Sequence, residues 1–159
     1  RLFNVYGTRS RTNSTYGAVM GVFFAQKLSN KPLTIVGSGN QKRDFIYISD
    51  VVDAFILASK KNVSGEVINI GSGKPRTIKE LANLICSNKK NNLPKRPGEP
   101  DCTWANISKA NKLLGWKPKV QLEIGVNHLI KNISYWKNAP VWNRMSIKKA
   151  TKSWFKHLK

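Results

Sequence analysis

Acidic residues, cysteines and histidines are all scarce in this chain. Eight Asp and Glu face 28 Lys and Arg among 159 residues, which gives a formal net charge of +20. Cys86 and Cys102 build neither a disulfide framework nor a zinc-binding pattern, and two histidines argue against a histidine-based metal site. No apolar run reaches about 18 residues and no signal peptide is recognisable. We therefore expect no metal ion, no membrane span and a reducing, cytoplasmic setting.

The excess of positive charge has more than one interpretation. A net charge of +20 would attract a polyanion such as nucleic acid, an anionic membrane surface or small anionic ligands. The lysines are scattered, however, without an arginine-rich block or interleaved aromatics. Lys, Asn and Ile are abundant together, as AT-rich coding sequences produce. We favour compositional drift, and keep a stand-alone basic module for nucleic acid or another polyanion as the alternative function.

Short apolar segments alternate between strand and helix patterns, which favours an α/β fold. Strands are predicted over 1–7, 33–36, 45–48 and 66–70, and helices over about 16–28, 50–60, 108–114 and 122–136. A capping box of Thr77 and Glu80 begins a further helix. The polar, proline-bearing stretch 89–100 is expected to be a loop. Because the first residues already lie in a strand, without an initiator methionine, we expect a C-terminal part of something longer.

The last residues, 137–159, read as a basic amphipathic helical tail. Pro140 ends the preceding helix, and the final helix carries Trp154 and Phe155 on its apolar side. No acidic residue follows Glu123. Such a helix could lie on a membrane surface, or it could dock its aromatic face on its own domain. We favour docking.

Arg43 is the first candidate for binding a ligand. It follows the glycine turn 37–39, which leaves room for a ligand, and it opens the predicted strand 45–48. The planar guanidinium fork matches phosphate oxygens two at a time. An ion pair with Asp44 or Asp50, or simple solvent exposure, explains an arginine here equally well. Both interpretations stay open at this point.

Two further segments carry candidate side chains. In Arg96-Pro97-Gly98-Glu99, proline and glycine hold two opposite charges in a tight loop, where Arg96 could contact phosphate and Glu99 could accept hydrogen bonds from two ribose hydroxyls. A turn with two surface charges is the plainer explanation. Asn4 lies at the end of a predicted buried strand, where ligands of open α/β sheets collect, although it could instead satisfy a neighbouring loop.

Several separated segments together resemble the nucleotide-sugar epimerases and dehydratases of the extended short-chain dehydrogenase/reductase family, UDP-glucose 4-epimerases among them. The segments occur in the family's order and are 1–9, 16–19, 33–53, 65–73, 96–99, 105–110 and 114–116. The resemblance implies a C-terminal fragment of an extended Rossmann-type α/β fold with its small α/β substrate-binding domain. Residues 1–136 would be this part, mainly the nucleotide-sugar-binding domain, and 137–159 have no counterpart that we can identify.

The resemblance also implies roles for the polar candidates. Asn4 would hydrogen-bond the diphosphate region of a nucleoside diphosphate sugar. Arg43 and Arg96 would neutralise the diphosphate, and Glu99 would hold the ribose hydroxyls. The elementary chemistry agrees, because two arginines match a diphosphate and a carboxylate suits a diol.

For the base, which is expected to be uracil, the resemblance implies the backbone around Val19 together with the strand from Leu33 to Val36. Val36 departs from the family's pattern, since many relatives carry an aromatic residue there that stacks on the base. We therefore expect a lower affinity for the base.

Catalysis by the family requires a Tyr-x-x-x-Lys pair and a glycine fingerprint for NAD. The four tyrosines are followed four residues later by serine, methionine, valine and alanine, and no dinucleotide fingerprint occurs in the chain. The resemblance thus implies that NAD serves an intact parent, an NAD-dependent epimerase or dehydratase whose N-terminal NAD-binding half is absent here. We expect this fragment alone to be inactive, and the parent's resemblance allows a homodimer.

Overall fold

The computed structural model describes residues 1–10, 19–86 and 90–157. The strands in these ranges are β1 (Asn4–Tyr6), β2 (Leu33–Val36), β3 (Lys42–Arg43), β4 (Phe45–Tyr47), β5 (Arg76–Thr77) and β6 (Lys90–Leu93). The helices are α1 (Val19–Leu28), α2 (Ile48–Ser59), α3 (Ile78–Ile85), α4 (Ser108–Leu114), α5 (Leu122–Lys131), a 3-10 turn (Ile133–Trp136), α6 (Arg144–Ala150) and α7 (Lys152–His157).

The described strands pair two by two. β1 runs parallel to β4, with Val5 opposite Ile46, and β2 runs parallel to β6, with Ile35 opposite Asn92. The short strand β3 lies antiparallel to β5. Parallel strands separated by helices are typical of an α/β fold. The predicted fold class is confirmed.

Two clusters of buried side chains form the core. The larger one joins α1, β2, α3 and α5, and within it the rings of Phe24 and Trp136 stack at 4.9 Å between centroids. The second cluster lies between β4, α2 and α4. There the indole Nε1 of Trp116 donates to the backbone oxygen of Asp50 at 2.9 Å. The carboxylate of Asp50 accepts the backbone amides of residues 119 and 120, so it serves the core and not Arg43.

Local signals in the sequence are confirmed. Thr77 and Glu80 form the expected capping box at the start of α3, whose buried face is Ile78, Leu81, Ala82 and Ile85. Gly115 ends α4 with φ of 67°, in the left-handed region that glycine adopts at low cost.

Three predicted elements need correction. Residues 66–70 form no strand, because the backbone hydrogen bonds of Ile68 and Ile70 to Arg1 and Phe3 leave a single bridge between Leu2 and Ile70. The stretch predicted as a loop over 89–100 contains β6, a polar strand that pairs with β2. The predicted helix 122–136 changes to a 3-10 turn after Lys131.

The tail is also built differently from the prediction. It forms two short helices, separated at Thr151, and the first begins at Arg144 behind a capping box of Asn143 and Ser146. No helix among the described residues is long and apolar enough to cross a lipid bilayer.

Candidate functional site

The candidate site forms where β3 meets the loop that follows β6. The backbone amide of Lys42 donates to Asp101 O at 2.8 Å, and the amide of Thr103 donates to Lys42 O at 3.1 Å. Gly37 and Gly39, in the turn before β3, have φ of 64° and 80°, the left-handed region in which glycine avoids strain. The loop is therefore fixed beside Arg43 by main-chain hydrogen bonds.

Arg43 and Glu99 form an ion pair within this site. Nη2 of Arg43 lies 2.8 Å from Oε1 of Glu99, and their side chains are 11% and 19% exposed. Nη1 of Arg43 also donates to the backbone oxygens of Lys42 and Pro100, both at 2.8 Å. The partner of Arg43 is thus the residue predicted to hold a ribose, and not Asp44 or Asp50.

Asp44 is a buried anchor that sequence reasoning did not assign to the site. Its side chain is fully buried and accepts hydrogen bonds from Ser72 Oγ at 2.7 Å and from the amides of Gly73 and Ala105 at 3.0 Å. A Cβ added to Gly71 would lie 2.4 Å from Ala105 Cβ, so the close approach of residue 71 to Ala105 requires glycine. The sequence signal for Asp44 is its position next to Arg43 in a β-rich run. Neighbouring side chains on an extended segment point to opposite sides, so one of these two charged side chains is expected to face the interior.

Asn4 reaches the same loop from β1. It begins the strand and is exposed, which corrects the prediction that it lies at the strand's end. Its Oδ1 accepts a hydrogen bond from Thr103 Oγ1 at 3.2 Å, and its backbone N–H donates to Asp44 O at 3.0 Å. The structure therefore brings Asn4, Arg43 and Glu99 together around one loop.

The turn Arg96-Pro97-Gly98-Glu99 has the tight geometry that its sequence predicts. Gly98 has φ of 68°, and the amide of Glu99 donates to Arg96 O at 3.4 Å. The two charged residues line different cavities. Glu99 lines one of about 190 Å³ with Gly37, whereas Arg96 lines one of about 300 Å³ with Val36.

The residues predicted to line the base divide between core and surface. Leu33 is fully buried in the larger core cluster, so only its backbone remains available to a ligand. Val36 alternates to the other side of β2 and lines the larger cavity, and Val19 begins α1 and packs against the core cluster. The segment 16–19 lies outside the described residues except for Val19.

Several acidic groups near the site already have cationic partners. Lys95 pairs with Asp101 at 2.7 Å on the exposed rim, and this hydrogen bond and charge hold the pKa of Asp101 below its usual value. Arg76, opposite Arg43 across β3 and β5, pairs with Glu80 and Glu123 at 3.4 and 2.7 Å.

The glycine turns at 37–39 and 71–73 do not fit a dinucleotide. A dinucleotide fingerprint presents the pyrophosphate to the start of a helix. The turn at 37–39 instead runs into β3, and the turn at 71–73 precedes β5 while its amides are taken by Asp44. Neither of these two turns thus has the geometry of a dinucleotide fingerprint.

The chain resembles known proteins over most of its length. Residues 1–71 match the NAD dependent epimerase/dehydratase family. An uncharacterized UDP-glucose epimerase, YtcB, of Bacillus subtilis is 39% identical over 140 residues, which cover 84% of this chain and 43% of that protein. UDP-glucuronic acid decarboxylase 1 of Danio rerio is 38% identical over 84% of this chain and 32% of its own length. The chain thus spans less than half of these relatives.

Solved structures of longer proteins also resemble this chain. The UDP-glucuronic acid 4-epimerase of Bacillus cereus, in complex with UDP-glucuronic acid and NAD, superposes with a TM-score of 0.75 at 40% identity over 87% of this chain and 44% of that chain. The UDP-glucose 4-epimerase of Thermotoga maritima, with UDP-glucose, superposes with a TM-score of 0.74 at 33% identity over 87% and 45%.

Proposed function

This chain belongs to the NAD dependent epimerase/dehydratase family, and we infer that it binds a nucleotide sugar through its nucleoside diphosphate. We propose that this nucleotide sugar is a UDP-sugar. The family and the similarity to structures that contain UDP-sugars support the substrate class. The polar contacts proposed are those of Asn4 and Arg43 to the diphosphate and of Glu99 to the ribose. Arg96 would meet the phosphates from the adjoining cavity.

The observation that carries this proposal is the ion pair between Arg43 and Glu99. A diphosphate offers Arg43 the same bidentate geometry as a carboxylate, with more negative charge. Glu99, once released, has lone pairs for two ribose hydroxyls. Each side chain satisfies the other in a largely buried position, where an unpaired charge would be costly. A ligand that replaces this pair would therefore have to satisfy both side chains.

Binding would position the sugar for chemistry carried by other residues. The proposed activity of the intact protein is an NAD-dependent epimerase or dehydratase, in which NAD supplies oxidation of a sugar carbon. The sequence has neither the Tyr-x-x-x-Lys pair nor a dinucleotide fingerprint, so we propose that this chain is inactive alone. Its part is to hold the diphosphate, so that binding energy fixes the geometry of the sugar.

Residues 1–136 would form the nucleotide-sugar-binding part and 137–159 the tail. A homodimer of the intact protein and a cytoplasmic location complete the proposal, and neither a metal ion nor nucleic acid is assigned to it. Binding of nucleic acid remains the second candidate because of the net charge of +20. That binding would weaken steeply with salt and would be indifferent to Glu99.

The test is calorimetric titration of the purified protein with UDP, UDP-glucose and a DNA duplex at low and physiological salt. We expect saturable UDP binding that Arg43→Ala weakens by about tenfold or more, as a hydrogen-bonded charge pair is lost. The matched control is Lys112→Ala, on the exposed surface of α4. DNA binding without UDP binding would overturn the proposal in favour of the polyanion module.

A further inference from the structure

A cavity of about 300 Å³ separates the ends of β2 and β6 from the two helices of the tail. Its inner side carries Val36, Leu93 and Pro94, and its outer side carries Ile147 and Phe155. Ligand pockets of proteins start at about this volume and are mostly apolar with a few polar groups. The cavity therefore has the size and lining for a flat organic group.

Positive charge surrounds this apolar space. Arg96 enters from the turn after β6, and Arg144, Lys148 and Lys152 enter from the tail, whereas none of the residues that line the cavity is acidic. Arg144 and Lys148 are four residues apart within α6, a spacing that places side chains on one face of a helix. Lys152 is the first residue of α7, beyond the break at Thr151, and lines the same cavity. A cavity lined by one sign of charge attracts the opposite sign.

Buried hydrogen bonds hold the tail against β2. Gln26 of α1 is fully buried, and its amide Nε2 donates to Thr34 Oγ1 and to Trp142 O, both at 2.8 Å. Its Oε1 accepts the amide of Thr34 at 3.1 Å. One buried side chain thus joins β2 to the chain just before α6, which fixes one side of the cavity relative to the other.

We propose that α6 and α7 complete the nucleotide site: the base lies in the apolar cavity between Val36 and Phe155, and the tail cations Arg144, Lys148 and Lys152 meet the phosphates next to Arg96. This inference rests on the proposed function, because the ligand is the same nucleoside diphosphate. It adds a second wall to the site and assigns a role to a tail that the family resemblance leaves without one. The aromatic ring of Phe155 supplies a flat surface on which a base stacks.

The test compares two variants that lose the same charge. The cavity variant carries Arg144→Gln, Lys148→Gln and Lys152→Gln. The control carries Lys137→Gln, Lys149→Gln and Lys156→Gln, three exposed lysines of the tail that do not line the cavity. UDP and uridine are titrated by calorimetry into each purified protein, and circular dichroism checks that both variants keep their helices.

We expect the cavity variant to lose about tenfold in UDP affinity, because each exposed ion pair contributes only modestly to the binding free energy and three are removed. The UDP affinity of the control should stay within about twofold. Uridine affinity should be equal in both, and Phe155→Ala should weaken uridine as well as UDP. Equal losses of UDP affinity in the two triple variants would overturn the inference, because the overall positive charge of the protein would then explain the effect. An unchanged cavity variant, together with a loss in Arg43→Ala, would overturn the inference and leave the proposed function standing. If the unsubstituted protein binds no UDP, both fail.

Discussion

Arg43 and Glu99 neutralise one another across 2.8 Å although 56 positions separate them in the chain. Each was predicted from the sequence to bind a different part of one ligand, and neither was predicted to bind the other. Their contact is possible because the backbone of Lys42 holds the loop at Asp101 and Thr103. A pair of this kind lets a ligand exchange one partner for another at little cost in buried charge.

Glu99→Gln should separate the two halves of the proposed ligand. The substitution removes the negative charge that competes for Arg43, so we expect pyrophosphate to bind several-fold more tightly. The neutral amide accepts hydrogen bonds from the ribose less strongly than a carboxylate, so the advantage of UDP over pyrophosphate should narrow. Calorimetric titration of both ligands measures this ratio.

The control for that experiment is Asp101→Asn, which removes an exposed acid from the same loop. It should leave the ratio of UDP to pyrophosphate affinity unchanged. If Glu99→Gln weakens both ligands equally, Glu99 acts only by supporting the loop, and its proposed contact with the ribose is wrong.

Asp44→Ala should be among the most destabilising substitutions in the chain. It leaves the buried amide of Ala105 and the partly buried amide of Gly73 without their acceptor, and unsatisfied buried groups cost about 1–3 kcal/mol each. We expect the free energy of unfolding to fall by about 3 kcal/mol or more, read from urea denaturation. Asp53→Ala, which breaks a surface ion pair with Lys119, should cost below about 1 kcal/mol. A similar small loss for Asp44→Ala would contradict its role as an anchor.

The parts of the fold that were predicted correctly depend on neighbours in sequence. The capping box of Thr77 and Glu80 and the left-handed Gly115 are local, so each could be read from a few residues. The strand β6 was missed because its polar sequence has low strand propensity and pairing with β2 overrides it. The ion pair between Arg43 and Glu99 was also missed, because the fold, and not the local sequence, brings these two residues together.

Stability should fall in acid through the glutamates around Arg76. The pKa of Glu80 is lowered by the amide of Thr77 and then by Arg76, and the pKa of Glu123 is lowered by its own backbone amide and by Arg76. A pKa that is lower in the folded than in the unfolded protein adds stability above the ordinary value of 4.5, which is lost as the pH falls through the folded value. The side chains are half-exposed, so the contribution of each pair is a few tenths of a kcal/mol, at the lower end of the range of about 0–1 kcal/mol.

Urea denaturation between pH 7 and about pH 3 measures this loss. In Arg76→Gln, the loss over the same interval should be smaller, because part of the lowering of both pKa values is gone. Lys131→Gln, on the exposed end of α5, is the control and should follow the unsubstituted protein. Parallel curves for Arg76→Gln and the unsubstituted protein would contradict the assignment of these pairs.

Tyr6→Phe should stabilise the protein. The ring of Tyr6 is 2% exposed and lies edge-on to Tyr47 at 5.2 Å, and its hydroxyl has no hydrogen-bond partner among the described residues. Burial raises the pKa of this hydroxyl. A buried hydroxyl that has lost water without gaining a partner costs about 1–3 kcal/mol, so its removal should raise the free energy of unfolding by about 1 kcal/mol.

The contact of Tyr6 with helix α5 gives a second test, in which a substitution is expected to destabilise the protein. A Cβ at Gly125 would lie 2.1 Å from the Tyr6 hydroxyl, so Gly125→Ala should destabilise by about 1–3 kcal/mol through overpacking. The same Cβ would lie 2.7 and 2.8 Å from two carbons of the Tyr6 ring, so the double variant with Tyr6→Phe should recover only the part of the loss that is due to the hydroxyl. A cycle of the four proteins measures this recovery. If Tyr6→Phe instead lowers the free energy of unfolding by about 1 kcal/mol or more, the hydroxyl has a partner in solution and the predicted stabilisation is wrong.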